Sequence, residues 1–120
     1  MPKKYIHQGW LVSPYSAKTR TYLRYKNIPH IDRVPNVIEL ATTIKKKIGR
    51  IIMPTVITPS GEWWQDTSDI IDSLEERFPD RPITPPTPKQ KLASYLLEFH
   101  ADEWLVMPAL LYRWTIEENK

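Results

Sequence analysis

Aromatic and β-branched residues crowd positions 5–12, YIHQGWLV, a pattern that predicts a short strand. Pro14 then suits the first position of a helix, and in YSAKTRTYLRYKN the residues Ala17, Tyr22, Leu23 and Tyr25 recur at helical spacing. Lys18, Arg20, Arg24 and Lys26 fall on the polar side of that helix. Pro29 and Pro35 bracket a short extended piece, HIDRV. NVIELATTIKKKIG predicts a second helix, with Ile38, Ala41, and Ile44 or Ile48 turned inward and Gly49 as its stop. IIMPTVITPSGEWWQD reads as two strands, TVIT and EWWQ, joined by a PSG turn. Alternation along the second strand sends Trp63 and Trp64 to opposite faces.

DTSDIIDSLEERF opens with capping chemistry. Asp66 suits the N-cap, Asp69 follows at the third helical position, and both favour the positive end of the helix dipole. Ile70, Ile71, Leu74 and Phe78 form its apolar face. Five prolines then fall within PDRPITPPTP, a semi-rigid extended connector. Beyond it a long helical segment carries Leu92, Leu96, Phe99, Met107, Leu110 and Trp114 in a stripe, with Pro108 as the place for a kink.

Composition narrows the classes without choosing among them. At 120 residues, 41% hydrophobic and 26% charged, the chain has the balance of a folded globular protein. No apolar run is long enough to span a bilayer, the N-terminus lacks the apolar core of a signal peptide, and a cytoplasmic location is the default expectation. With no cysteine, disulfides, thiolate metal sites and cysteine nucleophiles are excluded. The net charge of +3 comes from scattered residues plus one cluster, Lys45 to Lys47, which reads as a solvated helix end. No basic stripe supports nucleic-acid binding.

The order β-α-β-α-β-β-α, a proline linker and a long helix together point to a thioredoxin-like α/β domain followed by the start of an all-helical one. Three segments carry a family likeness: SPYSAKTRTYL, MPTVI and DTSDIIDSLEERFP. In this order they resemble the N-terminal part of a soluble glutathione transferase. The resemblance implies residues 1–80 as a glutathione-binding domain, 81–89 as a linker, and 90–120 as the first helix of a truncated helical domain. Three departures stand out: Asp66 and Thr67 replace the family's Glu and Ser, two extra residues separate Gly49 from Met53, and the helical part stops early.

The resemblance also assigns roles. Ser13 aligns with the catalytic position of serine-type members, where a hydroxyl at a helix start donates to the glutathione thiolate. Such a bond helps the thiol lose its proton near neutral pH. A turn serine before proline is the plain alternative, and Tyr15 is a rival hydroxyl. Ser16 stands where a redox pair would have its second cysteine, so dithiol exchange is out of reach; an early helix residue bonding to backbone is its simpler role. Met53–Pro54 aligns with the family's cis-proline, whose geometry would let Met53 pair with glutathione's cysteinyl unit as an added strand. Asp66 and Thr67 would take the γ-glutamyl end, Asp66 the ammonium and Thr67 with the helix-start amides the carboxylate. Lys47 or Arg50 would supply a cation for the glycine carboxylate. The implied reaction is attack of the glutathione thiolate on a small electrophile, and the competing class is a non-catalytic interaction module of the same fold.

His7, His30 and His100 show no metal-ligand spacing, the pair His100–Glu103 is too little for a site, and no metal is expected. Trp63, Trp104 and Trp114 are read as packing residues between domains or subunits. The stripe on residues 89–116 is more than one domain can cover, which predicts a homodimer through the C-terminal helix.

Overall fold

The computed structural model describes residues 4–49 and 52–116. Four short strands form one sheet: β1 (Tyr5–Gln8), β2 (His30–Arg33), β3 (Thr55–Ile57) and β4 (Trp63–Gln65), in the order β2-β1-β3-β4. β1 runs parallel to β2, and β3 is antiparallel to both β1 and β4. The helices are α1 (Pro14–Tyr25), α2 (Val37–Glu39), α3 (Lys45–Ile48) and α4 (Thr67–Arg77), with a π-helical stretch, Leu40–Ile44, between α2 and α3. The mixed sheet with its helices is the thioredoxin-like α/β arrangement.

Local chemistry sets the element ends. Ser13 caps α1, accepting from the Ser16 amide at 3.2 Å, and Pro14 occupies the first turn, where its missing N–H costs nothing. Asn36 and Glu39 form a reciprocal capping box at α2. Gly49, at φ +84°, ends α3 in the left-handed conformation. The β3–β4 hairpin turns through Gly61 at φ +92°, closed by Thr58 N–H donating to the Glu62 carbonyl at 2.9 Å. Asp66 caps α4 by accepting from the Ser68 amide at 2.9 Å.

One face of the sheet carries the main core. Tyr5 and Val56 meet Tyr22 and Leu23 of α1, Ile28, and Ile70, Ile71 and Leu74 of α4. Fully burying each such side chain contributes about 1.5–3 kcal/mol. Trp64 and Phe78 close this core from the side, both near the Tyr5 ring, and the Arg77 guanidinium lies 4.4 Å over the Trp64 ring. Pairing sets Trp64 in the row of His7 and Val56, and Trp63 in the next row, with Ile57 and Ile6, facing the other side. α3 packs against β4, and Ile44, just before it, is fully buried outside the first cluster.

Helical periodicity misplaces several residues. Ala17 and Tyr25 are exposed, while Thr19, Arg20 and Lys26 are buried. Arg20 reaches Asp32 of β2, and Lys26 pairs with Glu75 of α4, so the charges that periodicity assigns to solvent are neutralised inside. On the second helical stretch Ile38 and Ala41 are exposed and only Ile44 faces inward; the side chain of Ile48 lies outside the described residues.

The chain divides into two compact units between Arg81 and Pro82. The second contains α5 (Pro88–Phe99), a π-helical stretch His100–Trp104 and α6 (Val106–Thr115). The helix is interrupted before Pro108 rather than at it. Proline has no N–H for the carbonyl four residues back, and its ring crowds that carbonyl; the irregular stretch runs from His100 to Leu105 and takes in that carbonyl, of Trp104. Leu92, Leu96, Phe99, Met107, Leu110 and Trp114 are all exposed, as are Leu97, Trp104, Leu111 and Tyr112.

A candidate ligand site at one end of the sheet

Strand directions bring three separate turns together. Gln8, the last residue of β1, pairs with Thr55, the first of β3, and Thr55 pairs on its other side with Gln65, the last of β4. The turn after β1, the Met53–Pro54 peptide before β3 and the turn into α4 therefore share one end of the sheet. Thr55 is fully buried and its hydroxyl donates to Gln8 Oε1 at 3.1 Å.

The β1–α1 turn is held by backbone contacts. Gly9 N–H donates to the Arg33 carbonyl at 3.1 Å, continuing the β1–β2 ladder. A Cβ on Gly9 would stand 2.8 Å from both the His7 ring and the Ser16 side chain, so α1 can approach β1 this closely only over a glycine. Ser16 is fully buried and its hydroxyl accepts from the Trp10 amide at 3.1 Å, a purely structural bond. Ser13 is half-buried. Its oxygen is the acceptor in the cap, which leaves its hydrogen available to donate. Tyr15, two residues on at the second position of the helix, is also half-buried.

At the second turn Met53 and Pro54 are buried, and the peptide between them is cis. At the third, Asp66 has φ +68°, a left-handed backbone in a residue with a side chain. Thr67 is buried at the first position of α4, and Lys18 of α1 donates to its hydroxyl at 3.2 Å. Lys18 is a residue that sequence reasoning passed over, because its partner lies 49 positions away. Lys47 is exposed on α3, and Arg50 lies outside the described residues.

Behind the first turn sits a polar cluster in which His7, Thr19 and Arg20 are buried and Asp32 is exposed. His7 Nδ1 lies 2.7 Å from Asp32 Oδ1, His7 Nε2 lies 2.7 Å from Thr19 Oγ1, and Arg20 Nε donates to the other Asp32 oxygen. Burial, helped by the charges of Arg20 and His30, lowers the His7 pKa below its ordinary value against the raising effect of the Asp32 bond and charge. Burial also pushes Asp32 up, but its bonds to Arg20 and His7 and their charges outweigh this and hold its carboxyl low. Asp32 is thus an ionised acceptor, so Nδ1 carries the proton of a neutral imidazole, and Nε2 accepts from the Thr19 hydroxyl.

The model for the glutathione S-transferase N-terminal domain matches residues 8–82. The chain belongs to the glutathione S-transferase family. Solved structures agree. A glutathione S-transferase from Methylobacterium radiotolerans, crystallised with glutathione sulfonate, is 27% identical with a TM-score of 0.78; the match covers 96% of this chain and 55% of that one. The Tau class glutathione S-transferase from mango shares the fold at 17% identity and a TM-score of 0.79, covering 100% of this chain and 56% of its own. An Antarctic clam enzyme of the same family does so at 20% identity and a TM-score of 0.73, covering 96% of this chain and 54% of its own. The chain therefore spans about half the length of these relatives. Among its described residues, no group of three or more His, Cys, Asp or Glu could hold a metal, and no helix is long and apolar enough to cross a membrane.

Proposed function

We propose that this chain binds glutathione at the shared end of the sheet and, when active, directs its thiolate at a small electrophile. The carrying observation is the register Gln8–Thr55–Gln65, which gathers the Ser13, Met53–Pro54 and Asp66–Thr67 turns of a family member. Ser13, whose hydrogen is left to donate, is the proposed catalytic residue, acting by stabilising the thiolate. The Met53 backbone would pair with the cysteinyl unit in the manner of an added strand. Thr67 and the first amides of α4 would receive the γ-glutamyl carboxylate, with the Lys18 ammonium adding favourable charge, and Asp66 would meet the ammonium. Tyr15 would be a further contact residue, and Lys47 or Arg50 would supply the cation for the glycine carboxylate.

The working partner would be the cytoplasmic glutathione pool, and the protein would act as a homodimer, its α5–α6 apolar residues covered by a second copy. Calorimetric titration with glutathione, followed by a conjugation assay with a small aromatic electrophile, tests the reading. Binding with turnover supports it. Binding without turnover assigns the chain to a non-catalytic module, and absence of binding removes the proposal.

A further inference from the structure

The Asp32–His7–Thr19 cluster lies outside the proposed contact residues, yet it ends on the element that carries Ser13. Thr19 and Arg20 are consecutive on α1, and both point into the sheet: Thr19 to His7 of β1, Arg20 to Asp32 of β2. His7 and Thr19 are each fully buried, so their bond is shielded from competing water. The contact continues toward the site. Ser16 lies one turn before Thr19, its side chain meets the space above Gly9 beside the His7 ring, and its amide donates to Ser13 Oγ at 3.2 Å. The depth at which the first turn of α1 sits on β1 is therefore set on one side by Gly9, which permits the approach, and on the other by the His7–Thr19 bond, which holds it.

We propose that His7 and Thr19 are positioning residues for the Ser13 hydroxyl, tethering the start of α1 to the sheet so that this hydroxyl meets the ligand's sulfur. The inference rests on the reading that Ser13 faces a glutathione thiolate. A bond donated to a thiolate depends steeply on distance and angle, so a small shift of the first turn weakens it while leaving the ligand's carboxylate contacts in place.

The test compares Thr19→Val, which keeps the shape and removes the hydroxyl, with the conservative Thr19→Ser, using the full chain. Tyr22→Phe is the control, since it removes a partly buried hydroxyl bond, to Glu75, at 2.6 Å and away from the site. The readouts are the pKa of bound glutathione's thiol, followed by thiolate ultraviolet absorbance, and the exchange rate of the Ser16 amide in the free protein. Thr19→Val should raise the thiol pKa by about one unit, a tenfold loss of thiolate below that pKa. It should also speed Ser16 exchange, with glutathione affinity changed by no more than about twofold. Thr19→Ser should restore both readouts, and Tyr22→Phe should move neither. A folded Thr19→Val protein with unchanged thiol pKa and unchanged Ser16 exchange overturns the tether. If Thr19→Val does not fold, His7→Phe, which keeps a ring at that position but offers Thr19 no acceptor, is measured instead. Faster Ser16 exchange there supports the tether, and unchanged exchange in the folded variant overturns it. Failure of the wild type to bind glutathione sinks the functional reading, while Ser16 exchange still decides the tether by itself.

Discussion

Lys26 Nζ lies 2.7 Å from Glu75 Oε1, joining the C-terminal end of α1 to α4 with the lysine side chain fully buried. Tyr22 donates to the same carboxylate oxygen at 2.6 Å, and Lys26 donates also to the Asp80 carbonyl at 2.8 Å. Burial and the hydrogen bond to Glu75 hold the Tyr22 proton well above the ordinary tyrosine range. A buried pair is costly to break from one side, because the remaining charge is left without its partner. Glu75→Gln should therefore destabilise the first unit by about 3–5 kcal/mol, whereas the double change Lys26→Met with Glu75→Leu should recover most of that loss. Urea unfolding of the three proteins measures it. A single variant within 1 kcal/mol of wild type, on the order of a surface pair, would mean that the charges are solvated.

Stability should depend on pH through His7. Its folded pKa lies below 6.5, so as pH falls from that value the unfolded chain takes up the proton first. Unfolding free energy should then decline with falling pH, levelling off once folded His7 is itself protonated; above this window the group contributes no slope. Asp32 acts in a separate range, its stabilisation being lost as pH falls below its ordinary 3.8. Melting temperatures across the His7 window, for wild type and His7→Gln, check the assignment. An equal slope in the variant would exclude His7 as its source.

Ser13→Ala combines two losses with different readouts. Removing the cap should cost about 0.5–2 kcal/mol of stability. Losing a hydrogen bond to a thiolate, worth about 1.5–3 kcal/mol, should slow conjugation roughly ten- to a hundredfold, with a smaller effect on glutathione affinity. Unchanged turnover in a destabilised variant would leave Ser13 as a cap alone and make Tyr15→Phe the next measurement.

The exposed side chains of α5 and α6 bear on assembly. Leu92, Leu96, Phe99, Met107, Leu110 and Trp114 together form far more apolar surface than isolated exposed residues do. Sedimentation at micromolar concentration should give about twice the 14.2 kDa chain mass, with two-fold symmetry the simplest arrangement. A stable monomer in which Trp104 and Trp114 are shielded from a fluorescence quencher would show that no second copy is needed.

Local instructions were legible along the chain itself. Pro14 after Ser13, Gly49, Gly61 and Asp66 each act within a few residues, through a cap, a left-handed φ or a turn. Alternation likewise separates Trp63 from Trp64, and the order of elements admits few sheet topologies. Tertiary structure decided where charge could be buried. Arg20 and Lys26 fall on a polar face by periodicity, and they turn inward only because Asp32 and Glu75 wait there, 12 and 49 positions away. The same holds for Thr19 against His7 and for Lys18 against Thr67. Periodicity reads each side chain's own preference between water and core. The free energy of a buried polar group depends instead on its partner, and which partner arrives is settled only when the strands and helices assemble.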